Sequence, residues 1–286
     1  MAGRPPINLN QKIRDLLTHT VPVRRDVDAP IRNFEGRVSA GFSLIKYLDD
    51  HISTETVYST VCDGHLTNLH RMVLVSLVEA FERFIKEVAV VCVDAVASYS
   101  IDNRFDGFTT SGGTVAAQFS AGSIGKALCE SDTWLSNSTI NDRFRQILKP
   151  HFGEVWEYLF PNEKQTPIAE RDRAKTLAIL WQIRHNITHN TGLLTGSDAR
   201  RLTLMVKAEV ESGKTLSPSR FDLRYVKRFL VETAVHTNQR IGQRLASLLS
   251  ELHADNPTLF VPQAVADAIS VSFQHQLIVA GAIGAL

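Results

Sequence analysis

From Leu66 onward, apolar residues return at steps of three and four: Leu69, Val73, Leu77, Phe81, Phe84, Val88, Val91 and Ala95. That is the period of one face of an α-helix, held for about eight turns. It predicts a long helix, with Asp63 or Thr67 placed to cap its start. Further segments read the same way. One spans Ile140–Leu148, before Pro150, and a short one runs from Glu154 to Phe160, before Pro161. Pro167 opens another at its first helical position, with Glu170 in the first turn, and that helix runs to a stop at Gly192. Ser217-Pro218 starts the last long helix, and a short helix is expected near Ser43–His51. Strand signals are slight, confined to a small β-hairpin expected around Ser212-Gly213 within LTLMVKAEVESGKTLS. The expected fold class is therefore all-α, a bundle of about five main helices.

Residues 1–60, interrupted by Pro5, Pro6, Pro22 and Pro30, read as an N-terminal extension of unclear role. Residues 61–255 form the helical domain, and 256–286 an apolar C-terminal tail or helix expected to dock on the protein or on a partner subunit. The N-terminus lacks the apolar core of a secretory signal, and no run is long and apolar enough for a membrane span. The expected location is the cytoplasm, where Cys62, Cys92 and Cys129, with no CxxC pair, stay reduced. Cys92, in an apolar run, reads as a small buried hydrophobe.

The chain is 44% hydrophobic and 21% charged, with a formal net charge of +1. A nearly neutral chain does not coat nucleic acid, so any RNA contact must come from a local patch. The Gly/Ser/Thr-rich stretch 106–125 reads as a loop or insertion. Its Gly125-Lys126 end is not a phosphate loop, because Ser120 replaces the first glycine and Ala127 the magnesium-binding hydroxyl.

The chemistry concentrates on the helix that ends at Gly192. On a helical wheel Leu177, Leu180, Trp181, Ile183 and Ile187 share one sector, and Arg184 falls inside it. A guanidinium there costs free energy unless it is paired or faces an anion. His189 lies five residues on, about 140° round the helix, with His185 nearer to it. One helix would struggle to aim Arg184 and His189 at one phosphate, whereas two copies across a two-fold axis could surround one cleft. Arg184 could equally pair with Glu79 or Glu82 upstream. His185 and His189 as metal ligands lack both the Glu of HExxH, since Asn186 follows His185, and a third ligand.

The segment RHNITHNTG, Arg184–Gly192, resembles the motif of HEPN domains: an Arg, a polar residue, three further residues and a His. SLVEAFERFIKEV looks like the first helix of RiboL-PSP and related HEPN groups, and FRQILKPHFGEVWEYLF like their middle helix and turn. The resemblance covers roughly residues 60–255. It implies a homodimeric endoribonuclease that needs no metal or other cofactor, and a toxin or anti-phage effector that an antitoxin or regulatory partner restrains. Arg184 would then stabilise phosphate charge, and His189 would act as general base or acid. His185 would assist, and Asn186 and Asn190 would orient phosphate or imidazole. Attack by a ribose 2′-hydroxyl would select RNA over DNA. Arg171, Arg173 and Lys175, with Glu79, are candidate substrate contacts, and Arg220, Arg224, Lys227 and Arg228 form a second basic cluster. A non-catalytic HEPN-like dimerisation or binding module is the alternative.

Overall fold

A computed structural model describes residues 30–52, 59–97, 123–130, 134–149 and 168–255, together with 104, 105, 108, 112, 159, 160 and 273. The side chains of 48–52, 59–63 and 168–171 fall outside that description. The described residues form helices and no strand: α1 Pro30–Ile52, α2 Ser59–Ala97, α3 Ile124–Cys129, α4 Asn137–Leu148, α5 Ile168–Asn190, α6 Gly196–Val206 and α7 Arg220–Asp255. None of these is long and apolar enough to cross a membrane.

The long helix α2 is the axis of the bundle. It packs against α1, α3, α4, α5 and α7. Its central turns bury a wide apolar sector, from Val73 and Leu74 through Phe81, Phe84 and Ile85 to Val93 and Val96, and leave a polar edge that includes Glu79 and Arg83. A helix buried over so wide a sector is a central one. It begins at Ser59, so Asp63 and Thr67 are interior positions and not caps. Helix α1 starts on Pro30 and spans 23 residues, far beyond the short helix expected at Ser43–His51. Its Ile31, Phe34, Val38, Phe42 and Ile45 are all buried. The Phe34 ring packs edge-on to Phe81 and tilted to Phe84, with centroids 6.2 and 5.6 Å apart. Replacing a phenylalanine in such a cluster by alanine costs about 3–5 kcal/mol.

The Gly125-Lys126 dipeptide serves helix docking. An added Cβ at Gly125 would stand 2.4 Å from the Val90 carbonyl oxygen, so α3 can approach α2 only with glycine there. The Asp94 carboxylate accepts from Ser123 Oγ and from the Gly125 amide, both at 2.7 Å. It fills the place at the start of α3 that an anion would otherwise take.

Helix α4 starts under the Ser136 hydroxyl, which accepts from the Thr139 amide at 3.1 Å. Its end is held by the wholly buried Arg104, whose guanidinium donates to the carbonyls of Ile147 and Lys149 at 3.1 and 2.6 Å. The helix expected at Glu154–Phe160 lies outside the described residues except for Leu159 and Phe160, which are buried. The Asn141 side-chain amide holds Phe160 in place, donating to its carbonyl at 3.0 Å and accepting from its backbone N–H at 2.9 Å. Pro167 also lies outside them. Most of the tail 256–286 does too, but Phe273 is buried on α7. An added Cβ at Gly242 would stand 2.1 Å from Phe273 Cβ, and Asn238 donates to the Phe273 carbonyl.

The expected hairpin is corrected. Leu202–Val206 belongs to α6, which a Thr195/Asp198 capping box launches. The turn at Gly213 is real, with φ +77°, but its partner is the segment just after α5. Leu193 and Thr215 form one antiparallel bridge, flanked by bonds from Leu194 N to Lys214 O and from Leu216 N to Gly192 O, both 2.8 Å.

Candidate functional site

Helix α5 closes on a left-handed turn, with Thr191 at φ +51° and Gly192 at φ +85°. The Gly192 amide reaches back to the Asn186 carbonyl, 3.4 Å, as helix-ending glycines do. Arg71 on α2 clamps this turn through the carbonyls of Leu216, 2.6 Å, and Thr191, 3.4 Å. With the pairing of Arg184 and Glu79, these contacts set α5 antiparallel to α2.

Two flanks of α5 carry polar residues, and they differ. On the inner flank Gln182, Asn186 and Asn190 recur every fourth position and face α6. Their side-chain amides donate to the buried Asp198 at 3.1, 3.1 and 3.0 Å. The Thr195 hydroxyl adds a bond of 2.6 Å. Among the described residues no cation takes part. Neutral dipoles keep the pKa of this carboxylate below the ordinary range, the Thr195 hydroxyl foremost, against the opposing effect of burial. Asn186 is fully buried and also donates to the Leu193 carbonyl at 2.8 Å. Asn186 and Asn190, expected to orient phosphate or imidazole, are thus tied to the corner between α5 and α6.

The outer flank is broad: His185 and His189 sit together on it, and Arg184, facing α2, lies about 140° round the helix from His189. The two imidazoles lie against each other, ring centroids 4.5 Å apart and tilted 47°. Both are exposed, and among the described residues neither has a hydrogen-bond partner. Arg184 is 18% exposed and donates from Nη2 to Glu79 at 3.0 Å. Its Nε is buried without an acceptor. Glu79, 49% exposed, therefore anchors the guanidinium. Glu79, expected as a substrate contact, is bonded to Arg184, and a carboxylate in that place repels a phosphate.

Arg184 and His185 also line a groove of about 400 Å³. Its other walls are the start of α4, Leu135–Ser138, and the Arg201 and Met205 side chains of α6. Trp181 and Gln182 complete the α5 side. His189 stands one turn beyond, joined to the groove by its contact with His185. Sequence reasoning did not reach Asp198, Arg201 or the Ser136–Ser138 turn. Only Asp198 had a signal, the Thr-x-x-Asp of its capping box.

The remaining candidates scatter. Arg173 and Lys175 lie on α5 roughly 14–17 Å before Arg184 at the rise of a helix, and they line no part of the groove. Arg171 is on the same helix, its side chain among those not described. The second basic cluster divides. Arg228 pairs with Glu232 at 2.8 Å, and Arg224 lies over Phe221. Lys227 is buried with its ammonium 4.4 Å from the Phe42 ring centroid, and burial pushes its pKa down. Lys227 cannot grip a backbone phosphate from there.

Cys92 is buried and free, and burial raises its thiol pKa, which suits a packing role. Among the described residues no three His, Cys, Asp or Glu side chains converge to hold a metal ion. No family model matches the chain, and neither a curated protein nor a solved structure matches it.

Proposed function

We propose that the chain is an endoribonuclease of the HEPN type, cutting RNA without a metal ion at a site shared by two copies of α5. One observation carries the reading. The outer flank of α5 presents a guanidinium and two touching, unbonded imidazoles, while the inner flank of the same helix is tied down by Asp198. A helix used only for packing has no need to keep His185 and His189 without partners.

The chemistry follows from those groups. An imidazole accepts the proton of a ribose 2′-hydroxyl as the 2′-oxygen bonds to the adjacent phosphorus. The bond from phosphorus to the 5′-oxygen breaks, and a second imidazole donates the proton that this oxygen takes up. The products are a cyclic phosphate end and a 5′-hydroxyl end. Arg184 supplies fixed positive charge to the phosphate as it passes through the transition state. His189 is the proton carrier in each copy, and His185 supports it. Met72 on α2 and Leu193 just after α5 remain exposed, apolar side chains available for a second copy to cover. An enzyme of this kind suits a toxin or defence effector that a partner holds in check.

The Arg184–Glu79 pair favours a second reading, a HEPN-like module that binds without cutting. The test is cleavage of a mixed RNA pool by purified protein in EDTA, comparing wild type with His189→Ala and Arg184→Ala. Wild type is expected to cut and leave cyclic phosphate ends. Each variant is expected to lose about 10²–10⁴-fold in rate while the dimer persists. Equal cleavage by all three proteins would remove the site assignment, and an inert wild type would favour the binding module.

A further inference from the structure

We infer that the groove between α4, α5 and α6 binds one nucleotide, with its phosphate at Arg201 and the start of α4 and its base against the apolar wall. The placement of that nucleotide beside the scissile bond rests on the ribonuclease reading, but the binding does not.

Several independent features point to an anionic ligand. Arg184 and Arg201 both line the groove, and among the described residues no carboxylate does. Arg201 is exposed, and among the described residues it has no ion-pair partner. The 12-residue helix α4 begins in the wall, so the Asn137 and Ser138 amides have no acceptor within the helix. Oriented amides at a helix start favour a phosphate. The Ser136 and Ser138 hydroxyls, 3.1 Å apart, add adaptable donors.

The groove also has an aromatic wall. Trp181 lines it while only 7% exposed, so its ring is held rigidly by the core and offers a face on which a base can stack. Leu135, Ala178 and Met205 add apolar lining. A small inorganic anion would leave that lining uncovered, whereas a nucleotide covers it with its base. A volume near 400 Å³ admits one nucleotide.

The position of the groove adds directionality. Arg184 belongs to both the groove and the outer flank, and His185 joins the groove to His189. A nucleotide held here would place its neighbouring phosphodiester at the imidazoles. Arg201 thus becomes a binding residue that acts on affinity.

The test is titration of full-length protein with a nucleoside 3′-monophosphate and, separately, with inorganic phosphate. Calorimetry and tryptophan fluorescence provide the readouts. The nucleotide is expected to bind at least tenfold more tightly than inorganic phosphate. Arg201→Ala should weaken nucleotide binding about tenfold, roughly the loss of one charge-assisted contact, and Arg201→Lys should restore part of it. Trp181→Phe should abolish the fluorescence change and weaken binding by a smaller factor. In RNA cleavage, Arg201→Ala should raise KM far more than it changes kcat. Nucleotide uptake that depends on Arg201 in a protein that cuts no RNA would leave the groove standing and remove the ribonuclease reading. RNA cutting with nucleotide affinity and KM indifferent to Arg201→Ala would overturn the groove and leave the ribonuclease. A wild type that takes up no nucleotide also overturns the groove.

Discussion

The two flanks of α5 are built from similar residues and behave in opposite ways. Gln182, Asn186 and Asn190 could each bond to water, yet all three donate to one buried carboxylate. Arg184, His185 and His189 are as polar. Of these, only Arg184 has a hydrogen bond to another side chain among the described residues, that of a half-exposed Glu79. The inner flank spends its hydrogen bonds on fixing the rotation of α5 and the course of its C-terminal turn. The outer flank keeps its chemistry available because that rotation is fixed. Rigid support behind an exposed site is how proteins hold catalytic groups to within fractions of an ångström.

The comparison breaks most easily at Asp198. Removing its carboxylate leaves amide donors of Gln182, Asn186 and Asn190 and the Thr195 hydroxyl unmet, and it opens the capping box of α6. Asp198→Ala should cost about 3 kcal/mol of stability, read by urea unfolding. His189→Ala, on the exposed flank, should change stability by less than about 0.5 kcal/mol. Similar losses in the two variants would erase the distinction between the flanks.

Acid sharpens the same contrast. The Thr195 hydroxyl above all holds the Asp198 pKa below its unfolded value, with the Asn186 and Asn190 amides assisting. A carboxylate depressed on folding stabilises fully above its unfolded pKa of about 3.9 and loses that contribution as pH falls through the folded value. The stability advantage of wild type over Asp198→Asn should therefore be constant near neutrality and shrink below about pH 4. The capped Asp222, lowered by the Ser219 hydroxyl and amide, is common to both proteins and cancels in the difference. An advantage that does not change with pH would mean that the ladder does not depend on the charge of Asp198.

Much of this was legible in the chain, for identifiable reasons. The three-four period of α2 announced a long helix, but its start at Ser59 did not show, because Asp63 and Thr67 imitate caps. Pro30 read as a breaker, although proline is equally suited to the first turn of a helix. The spacing of Ile31, Phe34, Val38, Phe42 and Ile45 was the better guide. Leu202–Val206 imitated a strand by composition, and the capping box at Thr195 decided otherwise. At the site, the place of Arg184 beside an apolar stripe was readable. The inward anchoring of Asn186 was not, since its partner Asp198 arrives only through the left-handed turn at Thr191-Gly192. The groove joins α4, α5 and α6, so no local pattern could reveal it.

The smallest effect tests the contact that ties Arg184 to α2. Glu79 holds Arg184 from α2, and the pair is partly solvated, 18% exposed on the arginine and 49% on the glutamate. Pairs of this kind contribute less than about 1 kcal/mol. Glu79→Gln keeps an oxygen for Arg184 Nη2 and removes the negative charge. Stability should move by less than about 0.5 kcal/mol. A phosphate approaching Arg184 would then meet no repelling carboxylate, so kcat/KM for RNA should rise a few-fold, and more at low salt than at high salt, where screening already mutes the repulsion. If positioning by Glu79 outweighs its repulsion, the rate would fall instead. Glu79 would then belong to the supporting frame of the site, as Asp198 does on the other side of the helix.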